Sequence, residues 1–528
     1  MARYLARALG LSLIPGLLAA ASAPALAESV IRVVPHADLK VLDPSQTAAT
    51  ITLMHGLSIF DMLFAFDEKL NVKPQMIESF ALSPDKLVYT MTLRPGLRFQ
   101  DGTPVTSRDV IPSLERWMKK DAVGTKLASF LAAMAPVDDR SFKLTLKEPY
   151  GLVEWSFANA SGSPAFVFRE KEARSDPAVP FTETIGSGPF RFVKSAWMPG
   201  STVVYEKNPD YVPRSDAPDG LAGGKIVKVD RIEYKILPDA STAAAALNAG
   251  EVDLIDQPAL DLVPLVEKNP NVTVEVITPI PAVAVLRPNH LQPPFNNAKA
   301  RAALSAMMQQ TDFMQAAIGD KKWWSTCFSY FVCGMPYGTE AGSEEYRKPD
   351  MAKAKQLLGE SGYKGGKAVI VSTDEIPAQG AMARVAVDKL KQLGVNVDLQ
   401  MSDWGGVITK RLNRGPVEQG GWSLFAVSWN GVSMAHPLSN IAVNTNCAGT
   451  NWLGWPCDEE ASKILDRFIR STDDAEKKQI AESLHRRLWQ VQPLALAGQY
   501  SQPTFYRKSL DGVLKAAVLV FWNISKKG

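Results

Sequence analysis

Histidine and cysteine are scarce in this chain, at five and four of 528 residues. The histidines, His36, His55, His290, His436 and His485, are scattered, and none pairs locally. No CxxC, HExxH, GxSxG or GxxxxGK[ST] pattern occurs, which removes the usual signatures of zinc, serine-nucleophile and P-loop chemistry. Gly186-Ser187-Gly188 opens like a dinucleotide loop, but Pro189 follows, the third glycine is missing and a strand comes next. An excess of one charge is also lacking. Lys and Arg number 58 against 55 acids, a net +3, with no basic stripe to suit nucleic acid. Past residue 27 no apolar run is long enough to span a bilayer.

What is present begins with a leader. Arg3 and Arg7, an apolar run from Ala8 and Ala25-Leu26-Ala27 before Glu28 have the layout of a cleaved secretory signal. Pro15-Gly16 and the Ser22-Ala23-Pro24 breaker favour cleavage over a membrane anchor. An exported protein starting near Glu28 is expected. At 46% apolar residues it can build more than one core, and its length suits two or three domains. The four cysteines allow three pairings. Two local disulfides, Cys327–Cys333 and Cys447–Cys457, are the simplest reading outside the cytoplasm, and no metal site is expected.

Residues 93–110, LRPGLRFQDGTPVTSRDV, are dense in charge. Tyr89–Leu93 alternates like a strand, Arg94-Pro95-Gly96 turns, and Asp101-Gly102 marks a second turn. Thr106 stands three residues before Asp109, a spacing that caps a helix from Ser107 with Leu114, Trp117 and Met118 on one face. Asp101 and Asp109 are therefore turn and cap residues, not a catalytic pair. The remaining chain alternates strands and helices and reads as mixed α/β. Tryptophan is abundant, at 12, and several sit beside Gly or turn residues. Core packing is the first reading for most. Trp404, in Asp403-Trp404-Gly405-Gly406, and Trp429, in Ser428-Trp429-Asn430-Gly431, suit a ligand wall equally well.

LRPGLRFQDGTPVTSRDVIPSLERW resembles the signature of the extracellular solute-binding proteins of family 5, the dipeptide-, oligopeptide- and nickel-type receptors of ABC importers. The resemblance continues through LKEPYG (146–151), GSGPFRF (186–192), LNAGEVDLI (247–255), PPFNNAKARAAL (293–304) and DW (403–404) to about residue 525. It implies an α/β, periplasmic-binding-protein-like, two-lobed clamshell with an extra inserted domain and a ligand cleft between the lobes. On that reading residues 1–27 are the signal. Residues 28–62, 187–277 and 496–528 form lobe 1, 63–186 are its inserted domain, and 278–495 form lobe 2. A periplasmic monomer is implied, without cofactor, that hands a peptide or peptide-like solute to an ABC permease with cytoplasmic ATPases.

The resemblance also implies site residues. Trp404 and Trp429 match cavity-wall tryptophans of oligopeptide-binding relatives, and Asn430 follows at the cavity edge. Peptide-binding members place an Asp shortly after the second Trp to pair with the peptide's ammonium. Here residues 429–437 contain no acid, and Val432 or His436 takes that place. Either another acid substitutes, with Asp38 and Asp403 as candidates, or the solute is not a peptide held by its amino terminus. The second is favoured: a modified peptide, an opine-like conjugate or a sugar derivative. The competing classes are an exported hydrolase with two carboxylates about 5–9.5 Å apart and a sensory or chaperone-like binding protein on the same fold. The Cys447–Cys457 bridge brackets Trp452 and Trp455 and is expected to stiffen a loop beside the cavity.

Overall fold

A computed structural model describes residues 28–449 and 451–527; the expected signal segment, 1–27, lies outside the described residues. Three sheets of four or more strands organise them. The first has seven strands, in the order Phe190–Phe192, Thr202–Lys207, Arg231–Lys235, Val30–Val34, Leu254–Ile255, Thr504–Arg507 and Val272–Glu275. Val30–Val34 runs parallel to both of its neighbours, with Val34 opposite Ile255. The second has six strands, in the order Trp324–Ser325, Ala495–Tyr500, Ala282–Pro288, Leu424–Trp429, Lys367–Ser372 and Asn396–Met401. The third is an antiparallel four-stranded sheet from Ile77–Leu82, Val88–Leu93, Ser141–Leu146 and Leu131–Pro136.

Strand Val88–Leu93 alternates between half-buried and buried residues, as a strand with one covered face should. The dense stretch that follows it is structural throughout. Asp101 accepts from the backbone and hydroxyl of Thr103 and pairs with Arg169 at 2.8 Å. Thr106 and Asp109 form a capping box on helix Ser107–Lys120, which buries Leu114, Trp117 and Met118. Pro112 is accommodated inside that helix without ending it. Gly186 and Gly188 have a packing reason: a Cβ on Gly186 would stand 1.8 Å from the Ile59 carbonyl oxygen, and one on Gly188 2.6 Å from the Ile59 carbonyl carbon. The motif is a close approach beneath the end of helix Thr50–Ile59.

The chain passes between the first and second sheets only twice among the described residues. Residues 276–281 link strand Val272–Glu275 to Ala282–Pro288, and residues 501–503 link Ala495–Tyr500 back to Thr504–Arg507. The return passage therefore comes after Tyr500, because Ala495–Tyr500 pairs with Ala282–Pro288.

Both expected disulfides form. Cys327–Cys333 and Cys447–Cys457 have S–S distances of 2.04 and 2.07 Å, and no free cysteine remains among the described residues.

Candidate functional site: a cavity between the two passages

A cavity of about 210 Å³ lies where the two passages meet. Ligand sites for small molecules commonly measure roughly 300–1,000 Å³, so this space is smaller than a typical one. The first sheet and its neighbours supply Thr50, Met54, Asp256, Gln257, Thr504 and Leu519; the second supplies Ala282, Ser428, Trp429 and Tyr500. Register explains that second wall. Ala282 lies opposite Tyr500 and Val283 opposite Trp429, so three neighbouring strands end together at the cavity.

Trp429 is held from behind. Its ring meets the edge of Trp452 at 4.6 Å between centroids and 84° between planes. Trp452 in turn carries the Arg287 guanidinium 5.0 Å above its ring. Arg287 is fully buried without a carboxylate partner. It donates instead to the carbonyl oxygens of Leu453, Ala442, Pro493 and Trp452. Burial pushes its pKa down to about 9, which still leaves it charged at neutral pH. A buried cation can be stabilised by converging carbonyl dipoles, and here two of the four carbonyls, those of Trp452 and Leu453, belong to the loop closed by Cys447–Cys457. Asn430 caps the short helix Gly431–Met434 by accepting from the Val432 N–H at 2.9 Å. Gly431 lies so close to the first passage that a Cβ there would sit 2.1 Å from the Pro281 carbonyl oxygen.

Trp429 and Asn430 line the cavity together. The other sequence-derived candidates lie elsewhere. Trp404 begins helix Trp404–Arg411 and stacks under the Arg411 guanidinium at 4.9 Å. His436 is buried in a stack on Trp155, 3.7 Å between centroids, with Tyr337 and Phe468 edge-on. Its Nδ1 accepts from the Leu438 N–H, and burial holds its pKa well below the ordinary value. This is a core histidine at a seam between the 63–186 segment and the second sheet's helices. The same seam carries the ion pairs Lys126–Asp466 and Glu148–Arg470. Asp38 accepts from the Gly200 N–H and Asp403 caps its helix through the Gly406 N–H. Asp38 keeps a buried Oδ1 with no partner among the described residues, and neither of these proposed substitutes for the missing acid lines the cavity.

The residue that sequence reasoning passed over is Asp256. It follows directly on LNAGEVDLI, just past the carboxyl end of strand Leu254–Ile255, and it is the only carboxylate lining the cavity. Ligands of open α/β sheets bind outside the carboxyl ends of parallel strands. That positional rule was the available signal.

The family model of the bacterial extracellular solute-binding proteins, family 5 (middle region), matches residues 71–452. The chain belongs to this family. It is 37% identical, over 97% of its length and 96% of the relative's, to a probable peptide ABC transporter periplasmic-binding protein of Sinorhizobium fredii. It is 25% identical to the glutathione-binding protein of Salmonella typhimurium, over 90% of this chain and 89% of that one. Among solved structures, it shares its fold with AgaA of A. tumefaciens R10 in complex with agropinic acid: TM-score 0.78, 22% identity, 94% of this chain and 99% of that one. The Helicobacter pylori protein DppA in complex with the peptide STSA gives a TM-score of 0.77 at 20% identity, over 95% and 99%. The family-5 chain described here therefore has the two-lobed fold of periplasmic binding proteins, and no helix among its described residues is long and apolar enough to cross a membrane.

Proposed function

We propose that this protein is the exported substrate-binding component of an ABC importer. In this reading it captures a peptide or peptide-like solute between two closing lobes and delivers it to a membrane permease with cytoplasmic ATPases. The observation that carries the reading is the cavity between the two passages, lined from both sheets by Trp429 and Asn430 on one side and Asp256 on the other. A solute touching both walls binds the closed arrangement better than the open one, and that difference in affinity drives closure. The first sheet's strands all fall within 28–62, 187–277 and 496–528, which supports one discontinuous lobe; the third sheet falls within 63–186, as an insertion would. Ala282–Tyr500 then bounds the second lobe.

Binding without turnover also fits the wall chemistry, since a two-carboxylate glycosidase needs a second acid beside the first and the lining holds one. The test is thermal unfolding of unfolded-and-refolded protein against di- to pentapeptides, N-blocked peptides, opines and oligosaccharides. A ligand at 100 times its Kd stabilises by about 2.7 kcal/mol. A midpoint shift with the ligand recovered intact supports the reading, and consumption of the ligand overturns it.

A further inference from the structure

Among the described residues, all the buried carboxylates but one fall into two groups. Asp43 pairs with Arg116, Asp61 with Lys225, Asp67 with Lys73, Glu172 with Arg169 and Asp253 with Lys526. Asp109 and Asp121 instead accept backbone N–H groups at helix starts. Asp256 belongs to neither group. It is 5% exposed, and its one side-chain contact among the described residues is His36 Nδ1 at 2.6 Å. No Lys or Arg pairs with it, and no backbone N–H donates to it.

Its surroundings do not supply the missing charge. The cavity lining holds no Lys, Arg or His. The Tyr234 hydroxyl is kept protonated, first by burial and then by the charge of Asp256 itself. A second, smaller cavity of about 130 Å³ shares the Asp256–Gln257 wall, contains His36 and is otherwise mostly apolar, with Leu237, Leu262 and Phe505 among its lining. A nearly buried carboxylate whose one side-chain partner is an imidazole, charged only when protonated, gains from an arriving cation. Trp429 lines the same cavity from the second sheet, and an indole face also attracts cations.

We infer that Asp256 is the anchor for an ammonium group on the solute, supplied by the first lobe and replacing the acid that residues 429–437 lack. This rests on the proposed receptor function and narrows its substrate class to solutes with a free amino group. A cavity smaller than a whole peptide suits that task, because only the cationic head need enter it. Closure then seats the head between the Asp256 carboxylate of one lobe and the Trp429 indole of the other. His36 holds the carboxylate in place from the second cavity when the site is empty.

The decisive experiment compares a di- to pentapeptide library with the same library N-acetylated, by thermal shift and then titration calorimetry. It uses wild-type protein and the near-isosteric Asp256→Asn. The expected result is a shift of the wild type by free peptides only, with Asp256→Asn weakening binding by about 30-fold or more at an unchanged ligand-free midpoint. Equal shifts by the acetylated library, or affinity retained within about threefold in Asp256→Asn, overturn the assignment. A response to oligosaccharides alone overturns it and leaves the receptor reading standing. Silence across every compound class defeats the receptor reading and this inference together. Should Asp256→Asn fail to fold, the contrast between free and acetylated peptides on the wild type decides by itself.

Discussion

The two walls of the cavity are built on opposite plans. On the first lobe, a single carboxylate stands at a strand end with one imidazole for company. On the second, an indole is backed by another indole, a buried guanidinium, four carbonyl oxygens and a disulfide loop. One wall holds a carboxylate with a single imidazole partner and the other a fixed aromatic shape. On the proposed reading the first would choose the solute's chemistry and the second fix its position.

That contrast can be broken most forcefully at Arg287. Arg287→Met strands four buried carbonyl oxygens and removes the cation over Trp452, and should cost about 3–5 kcal/mol of stability in urea unfolding. Asp256→Asn, which leaves no such set of acceptors behind, should cost far less stability and act on affinity. Acid tests the same second wall's scaffold more gradually. His485 accepts from the Tyr330 N–H through Nε2 and bonds the Ala341 carbonyl oxygen through Nδ1, so protonation breaks the first bond. Burial lowers its pKa to about 4 and holds that of His436 well below 6.5. Groups with depressed folded values contribute stability that is complete above the unfolded pKa, near 6.5, and is lost as pH falls toward the folded one. Each should remove up to about 1.4 kcal/mol per pH unit in that window. His485→Gln should flatten the slope of unfolding free energy against pH between 6.5 and 4.

The disulfides sharpen the comparison. Removing either pair, as Cys447→Ala with Cys457→Ala or Cys327→Ala with Cys333→Ala, should lower stability by about 2–3 kcal/mol on loop length. Only loss of Cys447–Cys457 should also weaken solute binding in calorimetry, because only that loop carries Trp452. Equal effects of the two would mean that the loop does not position Trp429. The smallest effect expected is at the tryptophans. Trp429→Ala should weaken binding about tenfold by loss of one aromatic wall, and Trp404→Ala, which loses a surface stack on Arg411, by less than about threefold.

Much of the scaffold was legible because its causes are local. Alternation gave the strand at Val88–Leu93, Asp101-Gly102 the turn and Thr106 with Asp109 the cap, all within a few residues. The disulfide pairs were legible for the same reason. Helix Thr50–Ile59 shows no amphipathic period, since every residue from Ile51 to Ile59 is buried, and periodicity needs a wet face. Of the cavity lining, Trp429 was legible from its loop context and Asn430 only through the family resemblance. Asp256 was legible only through its position after a strand end, because its partner His36 is 220 residues away and meets it only through parallel pairing of two strands. Arg287 hid for a simpler reason: a guanidinium reads as surface until its carbonyl acceptors converge from separate segments.

The aromatic backing of the second wall has an optical consequence. Trp429 touches Trp452, Phe425 lies against Trp452 and Trp422, and Trp422 neighbours Trp455, with centroid separations between 4.6 and 5.9 Å. At such spacings indoles exchange excitation within the pairs Trp429–Trp452 and Trp422–Trp455, so each pair is expected to emit as coupled chromophores. On the proposed reading, a solute seated beside Trp429 would change the polarity around one pair and shift its emission. The receptor would then carry its own fluorescent gauge of occupancy, placed by the same packing that shapes the wall.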